Sequence, residues 1–454
     1  METARGLQGK SIIDTIPLGS YQIAVITLCS LVAMIDGFDT QVIALAAPEI
    51  ARALDIPIAS FGVVFGAGLL GSMIGALIAG SMSDRTGRKP SLLVSMLIFG
   101  GASLVLPLAT SVNELILLRL IAGLGLGGAM PGIVALTSEY TPQRIRATLT
   151  SAMFCGYPLG ASIGAAASAW ILTHYGWQTI FVIGGLVPLA LLPIVGFWVP
   201  ESLRFLHGRG RDKAIARIMR RLGIAGAKPV FDRDEPDQTS HKFLLGELFA
   251  RGRAIGTLLL WATFFVSLLL SYFLINWIPS ITRQAGLLTE GAVGAVALLN
   301  IGGIVGSFAL SWFVERIGPY RVIAFGYTVG AIAIATIGFA GSSLFAAFIS
   351  VFIAGFFTIG AQLCVVALAA VYYPLEIRAT GVGWTMTIGR LGAVVGPVAG
   401  GILIGAGVNA QGLFALAAVA SFLAGSSVWL MGRLHRADNR LSVIDIDSLD
   451  EAFR

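Results

Sequence analysis

A chain of 454 residues that is 56% hydrophobic and only 12% charged is not a soluble enzyme, since water-soluble domains carry about 25% charged residues. A mean hydropathy of +0.86, with 57 glycines spread through apolar stretches, describes helices packed closely in lipid. The net charge of +6 does not mark a nucleic-acid binder, because the cations sit in loops between apolar runs, and Cys29, Cys155 and Cys364 lie too far apart for a metal site or a disulfide framework.

Spanning the hydrocarbon takes about 20 mostly apolar residues. Residues 1–20, with Arg5, Lys10 and Asp14, have no cleavable signal, so the first apolar run is expected to stay as an anchor. That run, 22–44, contains Asp36-Gly37-Phe38-Asp39, two carboxylates in an otherwise apolar span. A charge there costs about 3 kcal/mol or more, so it marks a cavity-facing function; the plainer alternative is that Asp36 caps a helix broken at Gly37. The second and third spans, 60–80 and 91–110, flank Gly80-Ser-Met-Ser-Asp84-Arg85-Thr-Gly87-Arg88-Lys89-Pro90, where Gly87 permits a tight turn and Asp84 can pair with a neighbouring helix end.

The fourth span, 114–137, carries Arg119. It also carries Gly123-x-Gly125-x-x-Gly128, which fits a dinucleotide fingerprint in form only, since no strand precedes it; it reads as close helix packing. The fifth and sixth spans are 148–170 and 179–199, followed by a hydrophilic stretch, 200–253. Six further spans follow: 255–279, 291–313, 321–340, 344–370, 380–403 and 411–431, the eleventh carrying Arg390. These boundaries define a first six-helix bundle over 1–199, a central loop over 200–253, a second bundle over 254–432 and a tail over 433–454.

With alternating sides, twenty-six of the thirty Lys and Arg residues fall on the face shared by both termini. Only Arg52 and Arg283 fall on the other face, while Arg119 and Arg390 lie inside spans. Both termini are therefore expected in the cytoplasm, with the basic face meeting anionic lipid. The halves also repeat at an offset of about 232 residues: Ile145-Arg146-Ala147-Thr148 recurs as Ile377-Arg378-Ala379-Thr380, Gly160 matches Gly392, and Gly164 matches Gly396. A 6+6 duplication is expected of carriers that rock two bundles about a midplane site.

The 80–90 loop matches the G-x-x-x-D-R-x-G-R-[KR] signature, and the whole chain resembles the major facilitator superfamily. Asp36-Gly37-Phe38-Asp39, Gly127-Gly128-Ala129-Met130-Pro131 and Ala135-Leu136-Thr137-Ser138-Glu139-Tyr140 narrow this to a resemblance to the aromatic acid:H+ symporter family. The resemblance implies an all-α fold of two pseudo-symmetric six-helix bundles in the inner membrane, acting as a monomer on an aromatic carboxylate and protons, with no cofactor and no enzymatic activity. It assigns gating to Gly80, Asp84, Arg85, Gly87, Arg88 and Arg378, proton coupling to Asp36, Asp39 and Glu139, and anion handling to Arg119 and Arg390. The second-half loop departs from the pattern, with Glu315 and Tyr320 where relatives often carry an aspartate and a histidine.

Read from the residues alone, each arginine offers a planar fork that fits a carboxylate bidentately. Arg119 can equally pair with Asp36 or Asp39 of its own bundle. Tyr157, Tyr272, Trp277 and Trp384 are candidates to stack on a ring, Tyr157 and Trp384 foremost. Rival substrates are another organic anion or dicarboxylate, or a sugar or polyol, the last hinted at by Pro200-Glu201-Ser202-x-Arg204.

Overall fold

The computed structural model describes residue 13 and residues 17–224, 245–250, 252–284, 289–339, 344–374 and 377–452. Most of the N-terminal arm and residues 225–244 of the central loop lie outside the described residues. The helices of the first half are α1 (Ser20–Ala53), α2 (Phe61–Thr86), α3 (Arg88–Val105), α4 (Val112–Glu139), α5 (Arg146–Phe154), α6 (Gly156–His174) and α7 (Trp177–Trp198). The central stretch holds α8 (Leu203–Gly208), α9 (Asp212–Arg221) and α10 (Leu245–Phe249). The second half holds α11 (Ala254–Gln284), α12 (Thr289–Ile317), α13 (Pro319–Phe339), α14 (Leu344–Tyr372), α15 (Arg378–Gly405) and α16 (Ala410–Ala452).

Among the described residues, eleven helices are long and apolar enough to cross a membrane. The expected fifth span is present as α5 and α6, separated at Cys155. Pro158 has no N–H to offer the carbonyl four residues back. Proline alone does not break these helices: Pro48, Pro131, Pro188, Pro193, Pro279 and Pro397 all lie inside continuous ones. At the C-terminus, helix continues to Ala452 past the expected end near 431, since no glycine or proline follows Gly432.

The chain forms two compact units, residues 1–56 with 67–240, and residues 57–66 with 241–454. Residues 57–66 belong with the second unit, where Gly62 lies against Pro397 and Gly401, and the Phe65 ring meets Trp277 edge-on at 5.6 Å. Within each unit, glycines let helix backbones touch, which is how helices associate where no hydrophobic force favours one apolar neighbour over another. A Cβ on Gly123 or Gly127 would meet backbone of Gly68 or Ser72 on α2 at 2.0 and 1.9 Å. Gly125 faces α3 instead, against Ser95 and Phe99. The fingerprint-like glycines are thus two packing faces of one helix.

The sequence repeat has a structural counterpart. Gly160 packs on the Met34 carbonyl of α1, and its match Gly392 packs on the Phe265 carbonyl of α11. Gly164 lies against Phe38, and Gly396 against Leu269. Outward, each unit presents large apolar side chains, among them Leu77, Phe308 and Phe345. In water such a surface would aggregate; it suits hydrocarbon.

Candidate functional site

Helix α1 runs unbroken through Asp36-Gly37-Phe38-Asp39, so there is no helix break at Gly37 for Asp36 to cap. Gly37 is there for close approach, since a Cβ on it would lie 1.9 Å from the Tyr157 carbonyl. Three residues apart on one face of α1, the two aspartates meet different groups. Asp39 is 4% exposed and takes the Arg119 guanidinium in a fork, Nη1 donating to Oδ1 and Nη2 to Oδ2, each at 2.8 Å. Gly68 of α2 makes room for that guanidinium, as a Cβ there would stand 3.3 Å from Nη2. Of the partners open to Arg119 in sequence, the structure therefore has Asp39.

Asp36 is half-buried and borders a small cavity of about 10 Å³ enclosed by α1, α3, α4 and α7, room for about one water molecule. Ser95 is the other polar residue of its otherwise apolar lining.

In the second unit, Arg390 is exposed on α15 and has no hydrogen bond or ion pair among the described residues. Gly392 and Gly396 turn the opposite side of α15 toward α11. Trp384, expected to stack on a ring, lies against Trp261, with centroids 6.0 Å apart and planes 26° apart. Tyr157 is half-buried, its carbonyl against Gly37. The serines, threonines and asparagine of α11 drew no attention in sequence. Ser267 accepts from the Tyr327 hydroxyl, Ser271 donates to Gln362 Oε1, both at 2.5 Å, and Asn276 donates to the Tyr272 carbonyl. The signal was there: Thr263, Ser267 and Ser271 recur at every fourth residue of an apolar helix.

The signature loop is barely a loop. Asp84 and Arg85 close α2, and Gly87 (φ +105°) is the one residue between α2 and α3. Arg88 Nε lies 3.2 Å from Glu139 Oε1 at the end of α4. Glu201 is the residue that sequence reading missed. Its Oε1 accepts from the backbone N–H of Arg88 (2.8 Å), Lys89 (3.2 Å) and Ser202 (2.8 Å), placing a carboxylate on the positive end of α3. The Tyr140 hydroxyl donates to the Glu201 carbonyl at 2.6 Å, and burial raises it well above the usual phenol range, keeping it a donor. Gln22 of α1 donates to the Tyr140 carbonyl. Asp84 itself is exposed, and the helix end expected to need it is held by Glu201. Gly80 has open space around it, and Arg378 donates from Nε to the Tyr373 carbonyl at 3.4 Å.

This geometry makes Gly87→Ala costly twice over. Its φ is one that L side chains rarely adopt, and a Cβ would stand 2.3 Å from Glu201 Oε2. A thermal melt of the purified variant should show a loss of about 1–3 kcal/mol. A melt like the wild type would mean the turn relaxes freely.

The family model of the Major Facilitator Superfamily matches residues 29–340 and 288–445. The chain belongs to that superfamily. It is 39% identical over 427 residues to a gallate transporter of Pseudomonas putida, covering 93% of this chain and 94% of that one. It is 36% identical over 438 residues to the 4-hydroxybenzoate transporter PcaK of Pseudomonas putida, covering 96% and 98%. Among solved structures, a bacterial homologue of the human lysosomal transporter Spinster, inward-facing and unoccupied, superposes with a TM-score of 0.71. At 19% identity over 92% of this chain and 98% of that one, it shows the shared fold. The superfamily consists of multi-pass transporters, not enzymes, and the eleven apolar helices fit it.

Proposed function

We infer that the protein is a proton-coupled importer of an aromatic carboxylate, working by alternating access of its two six-helix bundles. The observation that carries this reading is the bidentate pair of Asp39 and Arg119, a fixed carboxylate on a fixed fork inside apolar helices. The names of the relatives, gallate and 4-hydroxybenzoate transporters, supply the substrate class. An aromatic acid offers the fork the same group that Asp39 does.

The coupling follows from there being one fork and two carboxylates. A proton on Asp39 neutralises it and weakens its claim on Arg119, which then accepts the substrate's carboxylate. When the substrate leaves, Arg119 is buried without a counter-charge, and Asp39 restores the pair by giving up its proton. One proton accompanies one monoanion, so this step moves no net charge. Asp36, beside its water-sized cavity, is proposed to carry a second proton, and Arg390 of the second bundle to contact a substrate carboxylate. Glu139, paired with Arg88, is proposed for proton coupling alongside the aspartates, and the signature residues Gly80, Asp84, Arg85, Gly87 and Arg88, with Arg378 of the second half, for gating. Tyr157 and Trp384 are proposed for the aromatic ring. A single chain carries all these groups, so the monomer is the working unit, in the inner membrane with both termini cytoplasmic.

Uptake into energised vesicles tests the reading. An acid-outside gradient should drive accumulation of labelled 4-hydroxybenzoate or gallate, and a protonophore should abolish it. Accumulation that survives the protonophore and follows sodium would refute proton coupling. Accumulation of a dicarboxylate or a polyol, with neither aromatic acid competing, would refute the substrate class.

A further inference from the structure

Helix α9 has two faces of unlike chemistry. Ile215, Ile218 and Met219 are buried in the core of the first unit, with Val195, Val199 and Leu206. Opposite them Lys213, Arg217 and Arg220 stand at i, i+4 and i+7, all exposed. Like charges at this spacing repel, and the helix's one acid, Asp212, sits in the first turn, off the stripe. A helix bearing such a row is held in place by its apolar face and leaves the row short of counter-charge among the described residues. Its C-terminal end reaches the apolar rim: Arg221 Nη1 donates to the Phe197 carbonyl at 3.4 Å, and its guanidinium lies 5.8 Å from the Tyr21 ring centroid. Phe197 and Trp198 beside it are 79% and 55% exposed, an apolar edge of the kind that meets acyl chains.

We propose that the Lys213–Arg217–Arg220 stripe is a docking surface for anionic phospholipid headgroups, with the acyl chains lying along Phe197 and Trp198. Charge complementarity and the adjoining apolar edge together fit a lipid and do not fit a free anion, which would use the cations alone. The surface lies outside the groups assigned to transport, so the proposal stands apart from the identity of the substrate.

The test uses the full chain in neutral detergent, with lipid binding read by native mass spectrometry. Wild type should bind phosphatidylglycerol in preference to phosphatidylcholine, and more weakly at high salt. The variant Lys213→Gln/Arg217→Gln/Arg220→Gln should lose roughly a hundredfold in phosphatidylglycerol affinity, at about fivefold per charge. Its melting temperature and binding of the aromatic acid should stay at wild-type values, which separates lost docking from misfolding. Unchanged phosphatidylglycerol affinity and salt dependence in the triple variant would overturn the proposal. So would displacement of the lipid by equimolar inorganic phosphate, which would make the stripe a site for a free anion.

Discussion

Asp39→Asn is expected to abolish uphill accumulation of the acid and to lower stability by about 3–5 kcal/mol, the cost of leaving one partner of a buried pair uncompensated. Asn keeps the size of the side chain and removes the titrating charge, so Arg119 remains buried beside a neutral amide. Substrate then finds the fork open whether or not a proton gradient is imposed, so uptake by the variant should no longer respond to an acid-outside gradient. Exchange of labelled for unlabelled acid needs no net proton movement and should persist. Adding Arg119→Gln removes the orphaned cation, so the double variant should recover much of the lost stability without recovering accumulation. Non-additivity of this kind is the mark of a direct pair. Normal accumulation by Asp39→Asn would place the proton carrier elsewhere, with Asp36 next to be tested.

Both aspartates were visible in sequence as charges where charges are expensive, and so were Arg119 and Arg390. What sequence could not decide is which acid meets Arg119. Asp36 and Asp39 are three residues apart on α1 and both lie beside α4, and the packing of α1 against α6, with Gly37 on Tyr157 and Gly160 on Met34, sets which one meets the Arg119 guanidinium. The glycines of α4 were legible as a packing pattern because their spacing fits helix faces, and the repeat was legible because Gly392 and Gly396 hold one register with Gly160 and Gly164. Glu201 was not. Its neighbours suggested a sugar porter, while its work is to cap α3, more than a hundred residues upstream, and nothing local to 200–204 encodes that. The break at Cys155 was also missed, because six other prolines sit inside intact helices, where neighbouring groups satisfy the freed carbonyls. Trp384 shows the limit for aromatics: a tryptophan in a span is as ready to stack on Trp261 as on a ligand.

Arg390 is the sharper probe of the substrate, because unlike Arg119 it has no acid to hold among the described residues. Lysine in its place keeps the positive charge but gives up the fork and some reach, so Arg390→Lys is not conservative for a bidentate contact. Losing one charge-assisted pair should cost about 2–3 kcal/mol, or roughly 30- to 150-fold in affinity for 4-hydroxybenzoate. Arg390→Ala should lose more. The comparison that isolates the role is with the neutral amide of the same ring. If Arg390 meets the carboxylate, the amide's weak binding should hardly change in either variant, since its ring contacts are untouched. A residue that merely braces α15 would, when replaced, disturb the ring pocket and weaken acid and amide alike. Exposure on α15 argues against bracing, because the glycines that seat this helix on α11 lie on its other side. Equal losses for acid and amide, on protein with a wild-type melt, would take Arg390 out of the binding site.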